Sequence, residues 1–149
     1  MLIKLGSATH AFPQQLRLRH KWLIPTTGGD RINKLLVFLP ALTNLSQIPP
    51  KIQLCQVSYP DRADNFSPDF EQAAKLLRSK LTCPILPLLI PAHSVSKAII
   101  ELTQRKKYGL IVLGASNEGL LQNAVRGNIP EAIARYANST VIIFRSSLK

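Results

Sequence analysis

Acidic residues are scarce: the 149-residue chain carries 8 Asp and Glu against 19 Lys and Arg, a formal charge of +11. So few carboxylates leave little material for an enzyme that needs a positioned acid and base. Cysteine is equally sparse. Cys55 and Cys83 lie 28 residues apart, without a C-x-x-C and without a histidine at ligand spacing. That excludes a disulfide scaffold or a zinc site and leaves two free structural thiols, the expectation for a reducing cytosol. His10, His20 and His93 form no i, i+4 pair, so no intrinsic metal site is expected. Long apolar runs are missing too. The stretches around Leu35–Leu42 and Ile85–Ala92 each contain proline and fall well below the roughly 18 residues of a membrane span. The first segment has no apolar h-region, so no secretory leader is expected. What is present is a 46% apolar, 18% charged chain, enough apolar material for one packed core.

Apolar runs alternate with helical patterns. Trp22-Leu23-Ile24-Pro25 reads as a first strand, broken by Gly28-Gly29. Arg31 to about Thr43 reads as a helix with Ile32, Leu35, Leu36 and Leu39 on one stripe, and Pro40 is expected to kink it or end it early. Ile52–Val57 alternates as a strand does, and Asp61–Phe66 is a polar loop. Ser67-Pro68-Asp69 has the marks of a helix start, followed by Phe70, Ala73, Ala74, Leu77 and Leu81 at helical spacing. Ile85–Ile90 is a third strand, which Pro87 assigns to a sheet edge. Ser94 opens a third helix with a buried stripe of Val95, Ala98, Ile99 and Leu102, and Arg105, Lys106 and Lys107 suit its negative end. Leu110–Leu113 is a buried strand. Gly127-Asn128-Ile129-Pro130-Glu131 starts a fourth helix, carried by Ile133, Ala134 and Ala137 to Asn138, and Thr140–Phe144 is the last strand. This alternation predicts one α/β domain over residues 21–146, with a parallel sheet and helices on both faces. A basic arm or linker, residues 1–20, precedes it, and residues 147–149 form a tail.

In an open parallel sheet, ligands bind beyond the carboxyl ends of the strands where the strand order reverses. Two strand ends are glycine-marked, at Pro25-Thr26-Thr27-Gly28-Gly29 and at Gly114-Ala115-Ser116-Asn117. The second leads into a connection, Ala115–Arg126, longer than the 2–6 residues usual in α/β units. At its far end the amides of Gly127, Asn128 and Ile129 stand in the first turn of a helix, an arrangement that suits an anion. The same glycines would equally serve as a strand end and a tight turn.

The stretch GASNEGLLQNAVRGNIPEAIA, from Gly114 to Ala134, resembles the phosphate-binding signature of the universal stress protein family, G-x-x-G, nine residues, then G-[ST]. The spacing is kept by Gly114-Ala115-Ser116-Asn117, the nine residues Glu118–Arg126, and Gly127-Asn128. Asn117 stands for the second glycine and Asn128 for Ser or Thr. The resemblance implies a five-stranded parallel sheet in the order 3-2-1-4-5 and a site for ATP or another adenine nucleotide. Pro25, Thr26 and Thr27 would correspond to the Pro-x-Asp that meets the nucleoside, with a hydroxyl at Thr27 in place of the carboxylate. Val57 would meet the base edge through its backbone, Leu113 and Gly114 would flank the ribose, and Gly127, Asn128 and Ile129 would hold phosphates beside Asn117. Family members pair through the last strand, so the resemblance also implies a homodimer with Val141, Ile142 and Ile143 at the interface. The wording LGAS-EGLL-…-GNIPEAIA-…-TVI is similar to a subset attached behind chloride-channel-type transporters, which makes a membrane transporter a candidate partner. The implied location is the cytoplasm, with the inner membrane face as a second candidate.

Two functional readings follow from these residues. One is a regulatory domain that binds an adenine nucleotide and passes occupancy to a partner or dimer mate. The other is an interaction module of the same fold that binds none. Nucleic acid is disfavoured as a partner despite the charge, since the basic residues are scattered, Arg105–Lys107 being the one run, and no recognition motif is present. An enzyme is disfavoured as well. Ser116 has no neighbouring histidine in the chain to activate it. Glu118 and Glu131 are the carboxylates near the loop, which leaves room for slow ATP hydrolysis at most.

Overall fold

Trp22, Leu23 and Ile24 are all fully buried, yet a strand turns successive side chains to opposite faces, so both faces of their sheet must be covered. The computed structural model describes residues 2–4, 21–26, 31–46, 48–62, 64–115 and 129–145, and shows how. Trp22 and Ile24 enter one apolar cluster and Leu23 a second. The first cluster is completed by helices α1 (Arg31–Leu45) and α2 (Pro68–Lys80), the second by α3 (Val95–Arg105) and α4 (Ile129–Tyr136).

The strands are β1 (Leu2–Lys4), β2 (Lys21–Pro25), β3 (Lys51–Ser58), β4 (Ile85–Pro91), β5 (Leu110–Ala115) and β6 (Thr140–Arg145), in the sheet order β1-β6-β5-β2-β3-β4. β2 to β6 are mutually parallel. Numbered among themselves they run 3-2-1-4-5, the architecture expected from sequence. β4 lies at one edge, where Pro87 is exposed and its missing N–H costs the ladder little.

The other edge departs from expectation. β6 does not close the sheet, because β1 pairs with it antiparallel in the register Leu2↔Ile143, Ile3↔Ile142 and Lys4↔Val141. The start of the arm is thus part of the domain. The implied order 3-2-1-4-5 leaves the last strand at the sheet edge, and that expectation is corrected, since β1 occupies the edge. Val141, Ile142 and Ile143 are buried at 0%, 4% and 4% exposure within their own chain.

Three helix details also differ. α1 runs through Pro40 to Leu45 instead of ending early. Leu35, Leu39 and Leu42, on both sides of the proline, are buried in one cluster, and that packing outweighs a helix-interior proline penalty of about 3 kcal/mol. Val95, expected on the buried stripe of α3, is 36% exposed because it begins the helix, whereas Ala98, Ile99 and Leu102 are buried as expected. α4 ends at Tyr136, and Ala137 is buried just beyond, its N–H donating to the Ile133 carbonyl at 2.8 Å. The expected caps are present: Ser67 Oγ accepts from Phe70 N–H at 3.1 Å and Ser94 Oγ from Lys97 N–H at 3.3 Å. Among the described residues no helix is long and apolar enough to cross a membrane.

Candidate functional site

Strand order reverses between β2 and β5, which pair through Trp22↔Leu110 and Leu23↔Ile111. The carboxyl ends of β2, β3 and β5 and the first residue of α4 therefore carry Pro25, Thr26, Val57, Leu113, Gly114 and Ile129 toward one end of the sheet. Thr26 N–H donates to the Cys55 carbonyl at 2.9 Å and carries the β2–β3 ladder one rung past Pro25. Thr27, Asn117, Gly127 and Asn128 lie outside the described residues.

A cavity of about 730 Å³ opens at this end, but on its β3–β4 side. Val57 and Ile129 line it, and both also pack against the cluster under α3 and α4. Ser58 and Tyr59 continue from Val57, Arg62 comes from the single 3-10 turn Pro60–Arg62, and Ala92 and His93 come from the β4–α3 connection. The structure thus brings two of the expected residues into one cavity. Pro25, Thr26, Leu113 and Gly114 are at the same end of the sheet but not among its lining residues. Among the described residues lining it, none is Asp or Glu, and Tyr59, Arg62 and His93 are its ionisable groups. Tyr59, Arg62 and His93 were missed from sequence. Position was the available signal: Tyr59 directly follows β3, and Arg62 and His93 lie in the connections that leave β3 and β4, where loops of this architecture bind ligands.

Gly114 acquires a second reason to be glycine. It pairs with Phe144, and a Cβ there would lie 3.0 Å from Phe144 Cζ. That ring in turn stacks on Phe38 of α1 at a centroid distance of 6.2 Å. The thiols offer no nucleophile. Burial pushes Cys55 up to about 12 and raises Cys83, so both stay protonated at neutral pH. Toward the amino ends of the strands, the Tyr108 hydroxyl donates to Gln53 Oε1 in a buried pair. Burial first, and the neighbouring Cys55 second, push that hydroxyl up to about 12. Among the described residues no group of three His, Cys, Asp or Glu side chains is placed to hold a metal ion.

No protein-family model and no curated protein sequence matches the chain. Solved structures do match its backbone. A universal stress protein in complex with cAMP aligns with a TM-score of 0.64 at 18% identity, covering 86% of this chain and 98% of that one. The fold is that of the universal stress proteins. The universal stress protein from Archaeoglobus fulgidus in complex with dAMP aligns at 0.62 and 14% identity, covering 85% of this chain and 98% of its own. One from Burkholderia pseudomallei aligns at 0.55 and 13%, covering 89% and 98%. The universal-stress fold therefore spans nearly the whole length of those chains and most of this one.

Proposed function

We propose that this protein is a regulatory domain that binds an adenine nucleotide, ATP or a relative, at the carboxyl ends of β2, β3 and β5. The observation that carries the reading is the cavity of about 730 Å³ at this end of the sheet, on its β3–β4 side, lined by Val57 and Ile129 and by no carboxylate among the described residues. Among the described lining residues, a polyanion entering it meets Arg62 and no fixed negative charge. Neighbours of the same fold in complex with cAMP and dAMP support an adenine nucleotide as the ligand class. In this reading the Val57 backbone meets the base edge and Leu113 and Gly114 flank the ribose. The phosphates lie toward Ile129 at the head of α4, the positive end of the helix dipole.

The protein is proposed as a binder rather than a catalyst, because the lining side chains among the described residues include no general-base carboxylate. Occupancy would be passed to a partner, either a second copy of the chain or a membrane transporter at the cytoplasmic face, where a +11 chain is attracted to anionic lipid. Pairing through β6 requires β1 to leave that edge.

Calorimetric titration with ATP and AMP tests the reading. Saturable binding that weakens at least tenfold in Gly127→Val is expected. A folded protein that takes up neither nucleotide at millimolar concentration would overturn it in favour of the interaction module.

A further inference from the structure

A mononucleotide running from Val57 toward Gly114 and Ile129 leaves the β4 side of the cavity unused. That side is built, not open. Ala92 N–H donates to the Ser58 carbonyl at 2.8 Å, one rung beyond the Ser58↔Pro91 pair, and so fixes the two chain segments that leave β3 and β4. From those segments Tyr59 and His93 bring their rings to a centroid distance of 6.1 Å, tilted at 49°. Arg62 N–H donates to the Tyr59 carbonyl at 2.8 Å, closing the turn that holds the guanidinium at the same rim. Tyr59 is 47% exposed and His93 is also exposed. Asp61 and Asp64 are exposed on the same loop but are not lining residues. Two exposed rings beside a permanent cation, at the mouth of a cavity, match what a planar heteroaromatic ring with an attached anion needs: a stacking face and a charge-assisted donor.

We propose that Tyr59, Arg62 and His93 form a second subsite of this cavity, which takes the second base of a dinucleotide while the first occupies the Val57 side. This inference rests on the nucleotide reading above and adds to it the ligand's class: two nucleosides joined through phosphates. Tyr59 and His93 supply the stacking surface, and Arg62 pairs with the bridging phosphates.

The test is a calorimetric comparison of AMP, ATP and a diadenosine polyphosphate on the full chain and on the variants Tyr59→Ala/His93→Ala and Arg62→Gln. All three side chains are exposed, so the fold is expected to survive substitution, and circular dichroism checks that it does. The dinucleotide is expected to bind about tenfold or more tightly than ATP, since stacking of one base is worth about that factor. The double variant should remove that excess and leave AMP affinity unchanged. Arg62→Gln should weaken the dinucleotide more than AMP. If AMP and ATP bind but the dinucleotide has no advantage, or the double variant weakens all three alike, the second subsite is overturned and the mononucleotide reading stands. If the dinucleotide alone binds, the subsite stands and the mononucleotide reading falls. If nothing binds, both fall.

Discussion

At the scale of single residues, two buried groups set how the protein responds to alkali. Cys55 and Tyr108 are both pushed up to about 12, from ordinary values of 9.0 and 10.0. Below pH 9 each is protonated in the folded and unfolded chain alike, and its contribution to stability is fully present. Above about pH 9 for Cys55 and about pH 10 for Tyr108, the unfolded chain releases a proton that the folded chain retains. Stability then falls by about 1.4 kcal/mol per pH unit for each group, until the folded value is passed. Urea unfolding followed by the fluorescence of the one tryptophan, Trp22, fully buried in the core, reads this directly. Between pH 8 and 10.5 the wild type should lose about 2 kcal/mol more than Cys55→Ala. Equal losses would show that the thiol is not held protonated. Gly114 makes a separate residue-scale prediction. Gly114→Ala should destabilise by about 1 kcal/mol through the Phe144 ring, and Phe144→Leu in the same chain should recover most of that. Failure of the second change to rescue would mean that the ring contact does not explain the glycine.

At the scale of elements, the sequence spoke clearly where local chemistry decided the outcome. The α2 and α3 starts were legible because Ser67-Pro68 and Ser94 cap with their own atoms. The edge position of β4 was legible because Pro87 cannot donate. α1 was misjudged at Pro40 because the burial of Leu35, Leu39 and Leu42 by distant strands is invisible in a local pattern. Relieving that proline is therefore expected to help. Pro40→Ala should raise stability by about 1–2 kcal/mol in thermal or urea unfolding, and a loss would mean that the ring's packing outweighs the missing hydrogen bond. β1 was hidden for a different reason: three residues of a basic arm become a strand only when β6 offers its edge. Removing residues 1–4 should uncover that edge and shift the protein toward a dimer in light scattering at micromolar concentration, since an apolar open edge seeks a partner. A variant that stays monomeric with unchanged melting would show that β1 does not guard β6.

At the scale of the whole molecule, the parallel arrangement of β2 to β6 was readable from the alternation of strand and helix, while their order, which fixes where a site can form, was reached only through the family resemblance. The cavity's composition was not. Val57 and Ile129 were reached through the resemblance in the glycine-marked connection. Tyr59 and Arg62 come from the connection after β3 and His93 from the one after β4, which the β3–β4 register brings together. In the proposed reading, the +11 charge serves to attract a polyanion to a cavity with no carboxylate among its described lining residues. The most direct measurement is an amide correlation spectrum of isotopically labelled protein titrated with AMP. The account predicts saturable shifts grouped at Val57, Ser58, Leu113, Gly114 and Ile129, at the carboxyl ends of the strands. Shifts confined to the amino ends or to α1, or none at millimolar AMP, would contradict it.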